Sequence, residues 1–173
     1  MLLILCLFSC IQDPEIARKK GEALIAEKEK ANAGINALLD SLNSAAAQAD
    51  YKTYFKCFTA NATYNGTDAT ENWTQQTFML WAKPYFDAKT TWNFKSVKRN
   101  IYRSEAHDDI AWFDELLSTQ MKICRGSGVV IKEDGKWKIQ QYVLSMTIPN
   151  SKLDEVVKIK TAEEDLILHQ LKK

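Results

Sequence analysis

The chain has 173 residues, 46% hydrophobic and 26% charged, and its 23 Lys and Arg stand against 22 Asp and Glu for a net charge of +1. That length suits one domain with appendages, and the apolar content suffices for a core. Both signs of charge are interleaved along the chain, which excludes the clustered basic surface that a nucleic-acid backbone requires, so no nucleic-acid partner is expected.

Residues 1–10 are an apolar run that ends Leu7-Phe8-Ser9-Cys10. The run is far short of the roughly 20 residues that span a bilayer, and it has the length of a signal peptide's apolar region. A branched apolar residue, a tolerated residue, a small residue and then cysteine is the pattern of a bacterial lipoprotein signal. It predicts a lipid on Cys10 and a chain anchored to a bacterial membrane, facing the periplasm or the cell exterior. Cys6 would leave with the signal. Cys57 and Cys124 fall in a predicted helix and a predicted strand, and read as two buried thiols rather than a disulfide or a metal pair.

Residues 11–31 mix both charges with few aliphatics, as a tether or a solvated helical extension would. From Ile35 the period is helical, with Leu38, Leu39, Leu42, Ala45, Ala46 and Ala49 on one face. Asp50 can cap a second short helix that gathers Tyr51, Tyr54, Phe55 and Phe58. Asn61 to Tyr64 reads as a strand and Asn65-Gly66-Thr67-Asp68 as a turn. Thr74 is placed to cap a third helix, and Trp73 and Phe78 occupy the two positions of a hydrophobic staple. Pro84 predicts a kink or an early end to that helix, because it removes the bond to the Leu80 carbonyl.

After Ala88 the period becomes two. Trp92, Phe94 and Ser96 alternate, then Val97, Arg99 and Ile101 continue in the opposite phase, which predicts a bulge near Ser96. Ile110–Leu117 and Met121–Ile131 read as two further strands, and Gly126 and Gly128 in the second imply bending or close backbone approach. Asp134-Gly135 marks a type I′ hairpin into a strand over Trp137–Met146. Pro149 ends the sheet, and Ser151 is placed to cap a final amphipathic helix. Helices gathered before a meander imply an α+β fold with the helices on one face of a curved sheet. The organisation is therefore signal (1–10), charged segment (11–31), main domain (32–150) and C-terminal helix (151–173).

Several phrases in that order carry a resemblance. They are Gly66-Thr67-Asp68-Ala69-Thr70-Glu71-Asn72-Trp73, Ala82-Lys83-Pro84-Tyr85-Phe86, Ala111-Trp112-Phe113-Asp114-Glu115, Cys124-Arg125-Gly126-Ser127-Gly128, and Trp137-Lys138-Ile139-Gln140-Gln141-Tyr142 followed by Ile148-Pro149-Asn150. Together they resemble the SnoaL-like group of the nuclear-transport-factor-2-like superfamily over residues 32–158. The resemblance implies a cone-shaped roll: a strongly bent antiparallel sheet wrapped around the N-terminal helices, open to a pocket at one end, plus the C-terminal helix. It also implies a homodimer formed through the sheet, and it does not fix a function, since similar folds serve as cyclases, isomerases, dehydratases and assembly domains.

An apolar cone suits a carboxylate that moves a proton beside a carbonyl. Asp114 and Glu115 are neighbours on one strand, so only one looks inward. Either that one is an acid/base or ligand anchor, or one of the pair joins Arg125 on the next strand while the other faces solvent or a dimer mate. Arg125 is a candidate for an anionic ligand or for a cross-strand ion pair. Strand alternation puts Trp137, Ile139, Gln141 and Val143 on the inner face, with Gln141 deepest in the pocket. Relatives often carry a His there, and this chain does not. Trp81, Tyr85 and Trp112 are candidates for the ligand-binding wall. His107 and His169 read as surface residues. No spacing suggests a metal site, a phosphate loop or a nucleophile elbow, so no cofactor is expected. The leading expectation is a small apolar or amphipathic ligand, or an envelope partner, bound in the cone without catalysis. An isomerase-type, cyclase-type or dehydratase-type enzyme using Asp114 or Glu115 and a dimerising assembly module are the alternatives.

Overall fold

The computed structural model describes residues 14–104 and 106–172; the apolar run and Cys10 lie outside them. The first helix, α1 (Pro14–Ala47), is one unbroken rod of 34 residues, about 50 Å at 1.5 Å per residue. Its second half follows the apolar period read from Ile35, and Ala31, Ile35, Leu39, Leu42, Ala45 and Ala46 are buried. In the first half Ile16 and Ile25 stay exposed, so the charged segment is a helical extension from the domain. Ala49 then takes a left-handed φ of 54°, and Asp50 caps α2 (Tyr51–Lys56) by accepting the Thr53 amide at 3.0 Å.

Strands β1 (Phe58–Asn65) and β2 (Asn72–Thr74) flank the predicted turn, and α3 (Gln75–Asp87) follows with Thr74 as its cap. The staple closes as expected, with the Trp73 and Phe78 rings 5.5 Å apart. Pro84 does not end α3, which runs on to Asp87. Leu80, whose carbonyl loses its partner to Pro84, is exposed, so water can take that bond.

Strands β3 (Lys95–Arg103), β4 (Ile110–Thr119), β5 (Lys122–Glu133) and β6 (Lys136–Met146) form the antiparallel meander. Asp134 and Gly135 both take positive φ at the β5–β6 hairpin, as a type I′ turn demands. The six strands make one bent, unclosed sheet in the order β2-β1-β6-β5-β4-β3. In it β1 lies parallel to β6, a pairing outside the meander. A short 3-10 turn (Asn150–Lys152) leads into α4 (Leu153–Leu171). Ser151 sits inside that turn and caps nothing, and Lys152 occupies the cap position without a side-chain bond.

Besides a slip in the β1–β6 pairing, two irregularities interrupt the meander. One is the predicted slip in β3, between Ser96 and Lys98. The other corrects the assignment of Gln141. Val129 pairs with Gln141 while Val130 pairs with Ile139, so Gln140 is an extra residue in β6. An extra residue moves every later side chain to the opposite face. Trp137 and Ile139 are buried, but beyond the bulge Tyr142 and Leu144 take the inner positions, and Gln141 points outward, exposed. Across the sheet β1 also slips, between Phe58 and Thr63. Thr59 donates to the Gln140 side-chain oxygen at 2.9 Å, and the Gln140 amide donates to the Asn61 carbonyl at 3.2 Å. The two irregular stretches are thus fastened together.

Candidate functional site

Strand alternation divides Asp114 from Glu115, and their surroundings are opposite in kind. Glu115 shares the inner face of β4 with Ala111 and Phe113 and is wholly buried. Its partner is Arg99, directly across on β3. Arg99 Nε donates to Glu115 Oε2 at 2.9 Å, and Nη2 lies 2.9 Å from the same oxygen. Nη1 reaches back to α1, to Asn36 Oδ1 at 3.0 Å and Asp40 Oδ1 at 2.9 Å. On the other side the Tyr142 hydroxyl donates to Glu115 Oε1 at 3.3 Å. Gly126 makes room for that hydroxyl, since a Cβ there would stand 2.3 Å from it. Burial, and then the Glu115 charge, push the Tyr142 hydroxyl well above the ordinary tyrosine range. A carboxylate paired with one cation and capped by one donor is fitted to hold α1 against the sheet.

Asp114 lies on the outer face. It accepts from the Tyr102 hydroxyl at 2.9 Å and from Asn100 Nδ2 at 3.2 Å. The expected contact with Arg125 is loose, 4.0 Å across half-exposed side chains. Trp112 is also outside, stacked on Tyr102 with centroids 6.2 Å apart. The structure therefore gathers Asp114, Trp112, Arg125 and Gln141 on the convex surface, away from the interior where the last three were expected to meet a ligand. Arg99, the residue that does meet the inner carboxylate, was missed. The phase flip after Ser96 placed it inward, but only the β3–β4 register shows that it faces Glu115.

The interior opening lies elsewhere. A cleft of about 140 Å³ is walled by Tyr64, Trp73, Phe78, Trp81, Trp92 and Phe94, and completed by Met121 and Leu144. Its polar groups are Glu71 and Gln120 with the Gly66-Thr67 turn, and its lining contains no Lys, Arg or His. Of the expected wall residues Trp81 is in place. Tyr85 packs on Trp81, 5.0 Å between centroids, but is not part of the lining. Trp73 and Trp81 are 4.8 Å apart, and Trp81 and Trp92 are 6.3 Å apart. Behind this wall Tyr64 stacks on Tyr142 almost in parallel, 5.5 Å apart. These two rings stand between the cleft and Glu115, which is absent from the lining. Cys57 and Cys124 are both free and buried. Among the described residues no group of three His, Cys, Asp or Glu side chains is gathered for a metal, and no helix is long and apolar enough to cross a membrane.

Comparison with known proteins identifies one family, the SnoaL-like domain, matching residues 35–149. Among solved structures the chain is similar to an NTF2-like protein of unknown function from Pseudomonas putida, with 11% identity and a TM-score of 0.60 over 70% of this chain and 90% of that one. A domain of unknown function with a cystatin-like fold from Nostoc punctiforme matches at 11% identity and a TM-score of 0.58, over 82% and 97%. An uncharacterised cystatin-like protein from Caulobacter vibrioides matches at 8% identity and a TM-score of 0.59, over 75% and 97%. Likeness at these identities bears on the fold alone. A search of curated protein sequences returned no match.

Proposed function

The chain belongs to the SnoaL-like domain family, and on that premise we propose that it binds a small apolar or amphipathic molecule in the aromatic cleft, without acid–base catalysis by Glu115 or Asp114. One observation carries the proposal: the open, ring-walled cleft and the buried carboxylate are separate places. Proton transfer needs the acting group within hydrogen-bond reach of the substrate. Glu115 is tied to Arg99 and Tyr142 behind the Tyr64 ring, and Asp114 is on the far side of the sheet. What remains at the cleft is apolar surface with a few polar groups, the usual composition of a ligand pocket.

Three of the five tryptophans line the cleft, so tryptophan fluorescence reports occupancy. Titration with a panel of amphipathic small molecules should give a saturable change that Trp81→Ala weakens and Glu115→Gln in a folded protein does not. Turnover of a carbonyl substrate that Glu115→Gln abolishes would overturn the proposal in favour of an isomerase-type enzyme.

A second reading has its own support. The convex face of the sheet exposes the stacked Tyr102–Trp112 pair, and exposed apolar surface of this kind marks a contact site. We propose a homodimer through this face; light scattering of Trp112→Lys should return a monomer if the parent is a dimer. The membrane anchor on Cys10 is likewise a proposal, supported by Leu7-Phe8-Ser9-Cys10 alone. Mass spectrometry of the mature protein should find a lipid on an N-terminal Cys10, and an intact Met1 would remove the anchor.

A further inference from the structure

We propose that the ligand of the cleft is a small organic cation, with an ammonium head set against the indole faces and the Glu71 carboxylate. This rests on the reading of the cleft as a ligand site and adds the charge of what enters it. Trp73, Trp81 and Trp92 all line the cleft, with Trp81 4.8 Å from Trp73 and 6.3 Å from Trp92. An aromatic face carries negative electrostatic potential, and indole attracts a cation most strongly of the natural side chains. The one ionisable carboxylate in the lining is Glu71, and no basic side chain lines the cleft to offset it. Among the described residues no ion pair involves Glu71.

The carboxylate is also held in place. Glu71 Oε2 accepts the Asp68 amide at 3.2 Å, while the Gly66 amide donates to the Glu71 carbonyl at 3.0 Å. Gly66 gives it a seat, because a Cβ there would fall 2.0 Å from Oε2. Its field reaches the cleft floor: after burial, the Glu71 charge is the next cause of the raised Tyr64 hydroxyl. A negative group fixed at the edge of an apolar, ring-walled hollow is complementary to a positive head on an apolar body, and an anion there would meet repulsion from both the carboxylate and the ring faces.

The test uses choline, its uncharged isostere neohexanol and the anion tert-butylacetate, titrated against tryptophan fluorescence and checked by calorimetry. Choline should bind about tenfold more tightly than neohexanol, with tert-butylacetate the weakest. Glu71→Gln should weaken choline about fivefold and leave neohexanol unchanged. Gly66→Ala, which displaces the carboxylate without removing it, should move choline in the same direction. Neohexanol binding as well as choline, or choline indifferent to Glu71→Gln, overturns the cation and leaves the ligand site standing. If none of the three probes binds and the amphipathic panel also fails, the ligand site falls and this inference with it.

Discussion

Removing Arg99 should harm the fold more than removing Glu115, and the reason is where each charge is left. In Arg99→Met the Glu115 carboxylate stays wholly buried with only the Tyr142 hydroxyl beside it. An uncompensated buried charge of this kind costs about 3–5 kcal/mol. In Glu115→Gln the guanidinium keeps Asn36 and the solvent-exposed Asp40, so the loss approximates one charged hydrogen bond, about 1.5–3 kcal/mol. Replacing both, Arg99→Met with Glu115→Gln, removes the two charges and their desolvation together and should fall within about 2 kcal/mol of the parent. Urea unfolding followed by far-ultraviolet circular dichroism gives the four free energies of the cycle, provided the slopes agree. Additive single effects, or Glu115→Gln costing more than Arg99→Met, would refute the claim that this pair is a structural clasp between α1 and the sheet.

Alkaline pH tests the buried hydroxyls. Tyr54, Tyr64 and Tyr142 are each pushed above the ordinary value, first by burial. The unfolded chain releases these protons near pH 10 while the native state retains them, so their contribution is whole below that pH and is lost as pH climbs toward the folded values. Tyrosinate absorbance should therefore rise in two parts, with these three of the six tyrosines ionising only as the fold melts; a smooth titration of all six in an intact fold would contradict it. Gly126→Ala should cost about 1–3 kcal/mol, because its Cβ would lie 2.3 Å from the Tyr142 hydroxyl, and adding Tyr142→Phe should recover part of that in denaturant melts. Gln141→Ala should change stability by no more than about 0.5 kcal/mol, since the side chain is exposed; a large loss would restore it to the interior.

What the sequence made legible was whatever local physics decides. The helical period from Ile35, the Asp50 and Thr74 caps, the Trp73–Phe78 staple and the Asp134-Gly135 hairpin each depend on residues a few positions apart, and each stands in the structure. The slip near Ser96 was visible because apolar residues changed phase there. The Gln140 bulge was hidden for the opposite reason: Gln140 and Gln141 are both polar amides, so alternation passes through them without a mark. What holds the bulged residue is a pair of contacts to Thr59 and Asn61, about 80 positions earlier. The same limit hid Arg99. The phase change after Ser96 turns it inward, but only register places a buried carboxylate opposite it, and Arg125, the cation expected beside one of the two carboxylates, lies loosely against Asp114 instead.

That displacement bears on what the fold can do. Were Gln141 inward, a polar side chain would stand where Tyr142 now does, and the space between the cleft and Glu115 would not be closed by two stacked rings. The bulge instead turns Tyr142 inward, where its face closes on Tyr64 at 5.5 Å and its hydroxyl caps Glu115. One inserted residue therefore settles two things at once. It brings a hydroxyl to cap the inner carboxylate, and it gives the cleft an aromatic back wall. The proposal that Glu115 does not act as an acid or base rests on this arrangement, with the Tyr64–Tyr142 stack on one side of it and Arg99 on the other. The ring stack and the ion pair meet at Tyr142, which stacks on Tyr64 and donates to Glu115. Binding at the cleft mouth requires neither to open.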